Sequence, residues 1–290
     1  MKYCLILACW GDAYSELHVN ELVRAARSYS PELEDIVLFT DRVRSDIDPV
    51  VRQKIFPAFF NRPEFFGHGY RVKISVFSRD CLPAHMPCVY LDLDSMVIGN
   101  LGKIAGLVKN TNDFFMLPPG DMLGFGSLRR LLFRLTKGRR FATGNSSVMA
   151  FHSAASPNIS ELFARFHQSG ESGRHMAIDD VFISWASQSV VRGVPRTLAV
   201  MFRREFLART RIGLWAKSQL PSSRKSRSEI CVITFNGMTY KANHLLALEE
   251  GQRIEDPKGR FGYWSEACLG PTREKIREYC RRVMGKQPAQ

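Results

Sequence analysis

The 290-residue sequence contains no apolar run long enough to cross a bilayer, which excludes a helical membrane span. It has no Walker-type phosphate loop and no G-x-S-x-G elbow. The glycines at Gly124 and Gly126 follow no clear strand and have no third partner in register, so a dinucleotide loop is excluded as well. The seven cysteines, Cys4, Cys9, Cys81, Cys88, Cys231, Cys268 and Cys280, are odd in number and scattered. None has the two-residue spacing of a zinc or redox pair. Most fall inside apolar runs, where a free thiol behaves as a small buried hydrophobe, and a reducing cytoplasm is the natural setting. The N-terminal stretch MKYCLILACWGDAY is too short for a signal-peptide core and lacks a cleavage site. It is expected to be the first buried strand, in a chain that stays where it is made.

Acidic residues are also scarce: 28 against 41 Lys and Arg, a formal charge of +13. The excess is clustered at Arg129–Arg140, at Arg203–Arg227 and in the last helix. Such clusters attract an anionic partner, a phospholipid surface or an acidic substrate, or else form a solvated surface.

What is present is a globular composition, 45% hydrophobic and 24% charged. Apolar runs at 2–8, 35–40, 88–91, 114–117, 147–151 and 230–235 read as strands. Amphipathic spacing marks helices at Val19–Ala26, Tyr70–Phe77, Ile159–Phe166, 181–186 and 272–284. Nearly continuous apolar strands alternating with helices predict a mostly parallel sheet covered on both faces, a Rossmann-like α/β fold. The segment Ser218–Ser228, rich in Ser, Arg and Lys, is expected to be a mobile loop.

The sharpest feature is CVYLDLDSMVIGNL. Asp92 and Asp94 stand two apart at the carboxyl end of a buried strand, where α/β sheets bind ligands. Two convergent carboxylates repel each other unless a cation neutralises them, and Mn²⁺ or Mg²⁺ shared with substrate phosphates meets that need. The alternative is that both aspartates cap a turn with Ser95.

This segment resembles the D-x-D strand of the GT-A glycosyltransferases, particularly the glycogenin-like, family-eight group. YRVKISVFSRDCLPAHMPCVYLDLD, FATGNSSVMAF, IDDVFIS and ITFNGMTYKAN resemble further segments of that family in the same order. The resemblance implies a GT-A-like domain over residues 1–243, followed by a basic, mainly helical extension over 244–290. It implies a metal-dependent, retaining transfer of a sugar from a nucleotide-diphosphate sugar, a UDP-sugar in particular, to a hydroxyl of a glycan or lipid-linked acceptor.

Residue by residue, it implies nucleotide contacts from Ala8, Cys9, Trp10 and Asp12, with Tyr14 as a stacking candidate and Asp41 near the base or ribose. It further implies that Lys73 and Lys241 reach the donor phosphates or sugar, that Asn145 and Ser146 touch the sugar, and that Asp179 and Asp180 lie near the reacting carbon. Asp92 and Asp94 match the metal ligands. The family's third ligand, a histidine near the F-x-G segment, is missing here, so Asn236 or water would complete the shell.

Each assignment has an ordinary alternative. Lys73 on an amphipathic helix is by default solvated, Asp179 could be an N-cap, Asn145 and Ser146 could be turn residues, and Trp10 could be core. His175 and Asp179, four apart, could ligate a metal, although such pairs mostly arise by chance. A sugar-nucleotide nucleotidyltransferase would need a Gly- and Arg-rich loop after the first strand, which CWGDAYSE does not supply. A basic nucleic-acid binder would use the interleaved aromatics of RRLLFRLTKGRRF but leaves the D-x-D strand unexplained, so no nucleic-acid partner is expected. The expected location is cytoplasmic, with peripheral contact at the inner face of the membrane.

Overall fold

The computed structural model describes residues 1–118, 131–139, 142–155, 157–235 and 240–285. Its centre is a seven-stranded sheet in the order β3-β2-β1-β4-β7-β6-β8. The strands are β1 (Tyr3–Cys9), β2 (Leu33–Thr40), β3 (Arg52–Ile55), β4 (Pro87–Leu91), β6 (Phe114–Leu117), β7 (Asn145–His152) and β8 (Val191–Gly193). Strands β3, β2, β1 and β4 run parallel, β7 is antiparallel to β4 and β6, and β8 is parallel to β6. The sheet is thus mostly parallel.

Every residue of β1 is buried because the strand is covered on both faces. Tyr3, Leu5, Leu7 and Cys9 pack into one core with Val19, Leu22 and Val23 of the helix Glu16–Tyr29. Cys4, Ile6 and Ala8 pack into the opposite core with residues of three helices, Arg71–Phe77, Pro157–Gln168 and Asp179–Ala186. Period-2 alternation therefore exists in β1, but both phases are apolar.

A smaller sheet of β5 (Ser95–Val97), β10 (Val232–Thr234) and β9 (Ala199–Met201) begins one residue after Asp94. Its core joins Met96, Val200, Phe202 and Ile233 to Trp264, Ile276, Tyr279 and Val283 of the C-terminal segment. The residues beyond 243 thus share a core with the strand that follows the D-x-D pair. They also hold a hairpin, β11 (Arg253–Glu255) with β12 (Phe261–Tyr263), ahead of the last helix, Thr272–Val283.

Two local expectations are corrected. Residues 218–228 are not a loop: the helix Arg211–Gln219 is followed at once by the helix Pro221–Ser228. Pro221 starts the second helix, where its missing N–H costs nothing. Arg227 anchors the segment by donating to the Glu205 carboxylate at 2.9 Å and to the Cys268 carbonyl at 2.9 Å, with its guanidinium over the Phe206 ring. The second correction is at Arg71–Phe77, which is a 3₁₀ helix with every residue from Val72 to Phe77 buried, Lys73 included. The basic segment around Phe133 lies partly outside the described residues, and Phe133 itself is buried rather than offered as a stacking face.

The chain enters that 3₁₀ helix through Gly69 and Tyr70, both with positive φ. Gly69 lies against the start of the helix Asp179–Ala186, its carbonyl accepting from Asp179 N at 2.9 Å. A Cβ at Gly69 would stand 1.9 Å from the Ala177 carbonyl oxygen. Gly69→Ala is therefore expected to destabilise by about 1–3 kcal/mol. Gly170, also at positive φ but with open space around it, serves as the comparison. Equal unfolding midpoints for the two alanine variants would refute the close approach.

Candidate active site

A cavity of about 400 Å³ opens at the carboxyl ends of β1 and β4. Ala8 and Trp10 at the end of β1 line it, as do Asp92 and Asp94 after β4, Asn145 and Ser146 at the start of β7, and Asp179 and Asp180 at the start of their helix. Tyr14, Lys73 and Lys241, also expected from sequence, line it too. Tyr70, Ala13, Leu93 and Ser147 also line it. Segments distant in sequence thus converge where parallel strands leave their crevice.

The centre of the site is Lys73. Its ammonium lies 2.9 Å from one Asp92 oxygen and 3.0 Å from the other, 3.2 Å from Asp179 Oδ2, and 3.0 Å from Ser146 Oγ. Burial alone would push this lysine down, but Asp92 and Asp179 hold its pKa well above the usual value, so it stays charged. Tyr90, two residues before Asp92 and fully buried, donates its hydroxyl to Asp92 Oδ1 at 2.8 Å.

On the other side, Ser146 Oγ donates to Asp179 at 2.7 Å, and Asp180 accepts from Ser146 N at 2.6 Å and Asn145 Nδ2 at 3.0 Å. Asp179 is carried up to about 6, first by burial; Lys73 opposes the rise and Asp180 reinforces it. Asn145 and Ser146 are therefore not ordinary turn residues; they tie β7 to the acidic helix start.

Asp94 differs. Backbone bonds close the turn that carries it, from Ser95 N to Asp92 O at 3.0 Å and from Phe235 N to Asp94 O at 2.8 Å. The Asp94 Oδ1 atom is shut off from solvent and accepts no hydrogen bond among the described residues. Burial, then the neighbouring Asp92 charge, pushes this carboxyl up to about 6. A carboxylate on the lining of a cavity, with one oxygen unpartnered and a second carboxylate beside it, fits a hard divalent cation. No group of three His, Cys, Asp or Glu that could hold a metal occurs among the described residues, so any such cation would need further oxygens from a ligand or water. Asn236, the expected third ligand, lies outside the described residues.

The fold is similar to that of the galactosyltransferase LgtC solved with donor and acceptor sugar analogues. The TM-score is 0.54 at 11% identity, over 99% of this chain and 97% of that one. The bifunctional glycosyltransferase WbbM is similar at TM-score 0.57 and 11% identity, over 96% of this chain and 51% of that one. GlyE, a glycosyltransferase of Streptococcus pneumoniae TIGR4, is similar at TM-score 0.53 and 13% identity, over 97% of this chain and 60% of that one. The chain has the GT-A fold. No family model matches the sequence, and no curated protein matches it either.

Within the GT-A fold, three residues expected at the donor stand off the cavity. Cys9 faces the core opposite Ala8, because neighbours on a strand point to opposite faces. Asp12 is exposed and pairs with Arg42 at 2.5 Å. Asp41 accepts from Gly11 N at 3.1 Å and from Arg44 at 3.1 Å, so its carboxylate shapes the loop after β1. Arg44 is itself buried and also reaches the Gly11 carbonyl. His175 is buried against Trp185, with burial holding its pKa below the usual value and a Glu171 oxygen 3.7 Å away, and it takes no part in the cavity.

Two aromatic residues were not singled out from sequence. Tyr70 sits at φ 48°, half exposed at the mouth of the cavity and 6.2 Å from Trp10. A left-handed tyrosine beside a Gly is a local strain signal, but only the fold shows what it faces. Tyr90 was hidden in a buried strand, although its two-residue offset from Asp92 places both on one face.

Lys73→Met leaves Asp92 and Asp179 facing each other without their shared cation. The loss expected is about 3–5 kcal/mol of unfolding free energy, the cost of breaking a buried charge cluster from one side. Denaturant titration measures it. A Lys73→Met protein as stable as its parent would mean that these carboxylates are solvated.

Proposed function

We propose that this protein is a metal-dependent glycosyltransferase that moves a sugar from a nucleoside-diphosphate donor, a UDP-sugar in particular, to an acceptor hydroxyl. The observation that carries this reading is the cavity itself: Asp92 and Asp94 at the strand ends, the latter with an unpartnered oxygen, line it together with Lys241 and the Asp179–Asp180 pair. The GT-A fold, shared with three solved glycosyltransferases, supports it.

In this reading Asp92 and Asp94 hold a divalent cation. That ion supplies Lewis-acid neutralisation of the leaving diphosphate. Lys241, with its ammonium 2.6 Å from the Tyr14 hydroxyl and over the Tyr14 ring, adds a fixed positive charge beside the phosphates. Trp10 and Tyr70 offer aromatic faces for the base or the sugar. The acceptor oxygen bonds to the anomeric carbon on the face from which the diphosphate departs. The carbon–oxygen bond to the diphosphate breaks with its electron pair going to the phosphate, and the departing phosphate oxygen takes the acceptor hydroxyl's proton. Asp179 and Asp180 are held by Ser146, Asn145 and Lys73, which suits fixed charges that orient the sugar and stabilise an oxocarbenium-like state. Transfer with retention, by the family resemblance, and a glycan or lipid-linked acceptor complete the proposal. Seven free, buried thiols support a reducing, cytoplasmic setting.

Incubation with a panel of nucleotide sugars and Mn²⁺ is expected to release nucleoside diphosphate from at least one, with EDTA suppressing release and Mn²⁺ restoring it. Asp94→Asn should slow release by at least about a hundredfold, since it removes one of the two carboxylates that would hold the cation against the leaving group's developing charge. Full turnover in EDTA, or by the Asp94→Asn protein, would sink the metal assignment.

The cavity lining carries four carboxylates, Asp92, Asp94, Asp179 and Asp180, and two lysines, Lys73 and Lys241. With every group ionised it is two positive charges short. A bare diphosphate is therefore repelled, and a divalent cation makes its binding favourable. Calorimetric titration is expected to find weak binding of Mn²⁺ alone and of UDP alone, and mutual tightening when both are present. Equal Mn²⁺ affinity with and without UDP would count against a shared site.

A further inference from the structure

The helix Arg211–Gln219 turns two large apolar side chains outward: Ile212 is 81% exposed and Trp215, three residues on, is 58% exposed. Residues three apart share one helix face, so the two form a single apolar ridge. Leu220, at the junction with the helix Pro221–Ser228, is also exposed. The ridge is not a frayed end. Thr210 caps the helix by accepting from Gly213 N at 3.0 Å, Leu214 is buried beneath it, and Gln219 donates to the Ala267 carbonyl at 2.9 Å.

The charge around the ridge is one-sided. Residues 206–228 contain six Lys and Arg and no Asp or Glu. Two of the six are structural: Lys217 donates to the Leu207 carbonyl, and Arg227 is the buried anchor described above. Arg209, Arg211, Arg224 and Lys225 are exposed. Among the described residues, none of these four has a carboxylate partner.

We propose that this surface docks on an anionic phospholipid membrane, with Ile212 and Trp215 entering the headgroup boundary and the four exposed cations meeting lipid phosphates. The combination selects that partner. Tryptophan prefers the membrane–water interface, where its ring is apolar and its N–H stays wet. Isoleucine gains only from leaving water, which a nucleic-acid backbone does not offer, whereas lipid does. The flanking cations supply the second, electrostatic signal that a short apolar ridge needs for stable attachment. The inference is independent of the sugar-transfer reading, because no residue of the ridge lines the cavity.

The test is sedimentation of the full chain with vesicles of mixed phosphatidylglycerol and phosphatidylcholine, against phosphatidylcholine alone. Binding to the mixed vesicles only, weakening steeply with salt, is expected. The Arg209→Gln/Arg211→Gln protein should bind roughly tenfold to thirtyfold more weakly. The Ile212→Ser/Trp215→Ser protein should lose most binding while keeping the parent's circular dichroism. Bromine-labelled lipid should quench tryptophan emission in the parent, and less so in Trp215→Phe. Leu131 and Leu135 form a second exposed apolar pair in another basic segment. Loss of binding in Leu131→Ser/Leu135→Ser, with the Ile212/Trp215 variant unaffected, would overturn the assignment. So would tight oligonucleotide binding that the Ile212/Trp215 substitutions leave unchanged.

Discussion

The arrangement depends on one buried cation. Lys73 reaches Asp92 after β4 and Asp179 at the head of a helix more than eighty residues further on, and it also reaches Ser146 on β7. Three elements of the cavity wall are thereby fixed to a single ammonium group. Carboxylates so close would drive one another apart or take up protons if left alone. With Lys73 between them, Asp92 and Asp179 are held close, and Asp180 is oriented through the same Ser146. The buried lysine is costly in isolation, but its position is over-determined: Tyr90 holds Asp92 from below, and Gly69 docks its own 3₁₀ helix onto the backbone of Asp179.

The turn that carries Asp94 is tied from the other direction. Asp94 sits between the two sheets, with its carbonyl accepting from Phe235 N beyond β10. Phe235 stacks on Tyr279 of the last helix, with ring centroids 5.8 Å apart at 16°. The C-terminal segment thus reaches the D-x-D turn through one aromatic contact and one hydrogen bond. Lys241, at the start of the helix Ala242–Leu246, enters the cavity from the same side to meet Tyr14. A boundary drawn near residue 243 separates the motifs, but it does not separate what supports them.

Much of the architecture was legible because burial on both faces leaves a strong mark. β1 and β4 read as unbroken apolar runs ending in polar residues, and that ending is where the cavity lies. Lys73 was harder: a lysine among apolar neighbours looks like the solvated side of a helix, and only a 3₁₀ turn packed on β1 makes it the most enclosed cation of the site. Asp12 and Asp41 lie off the cavity lining for a related reason. Their positions after β1 and β2 suit a ligand, yet Arg42 and Arg44 occupy their carboxylates, and no local pattern announces such pairing. The helix Pro221–Ser228 was hidden by composition, because its order comes from Arg227 contacts to residues 205 and 268.

The charge distribution of the chain runs against that of its cavity, and both are useful. A formal +13 spread over the surface attracts an anionic donor from beyond the screening length of about 8–10 Å only weakly, but it raises the local concentration of anions close to the protein. Inside the cavity the sign reverses, because four aspartates face two lysines. An anion drawn to the surface is therefore not admitted on charge alone; in the proposed function it arrives with, or finds, a cation that matches Asp92 and Asp94. Within this reading, selectivity for a metal-bound diphosphate over other anions follows from that reversal. Lys73 belongs to the same logic: already engaged by two carboxylates, it offers an incoming phosphate little free charge, so Lys241 is the lysine left to grip it.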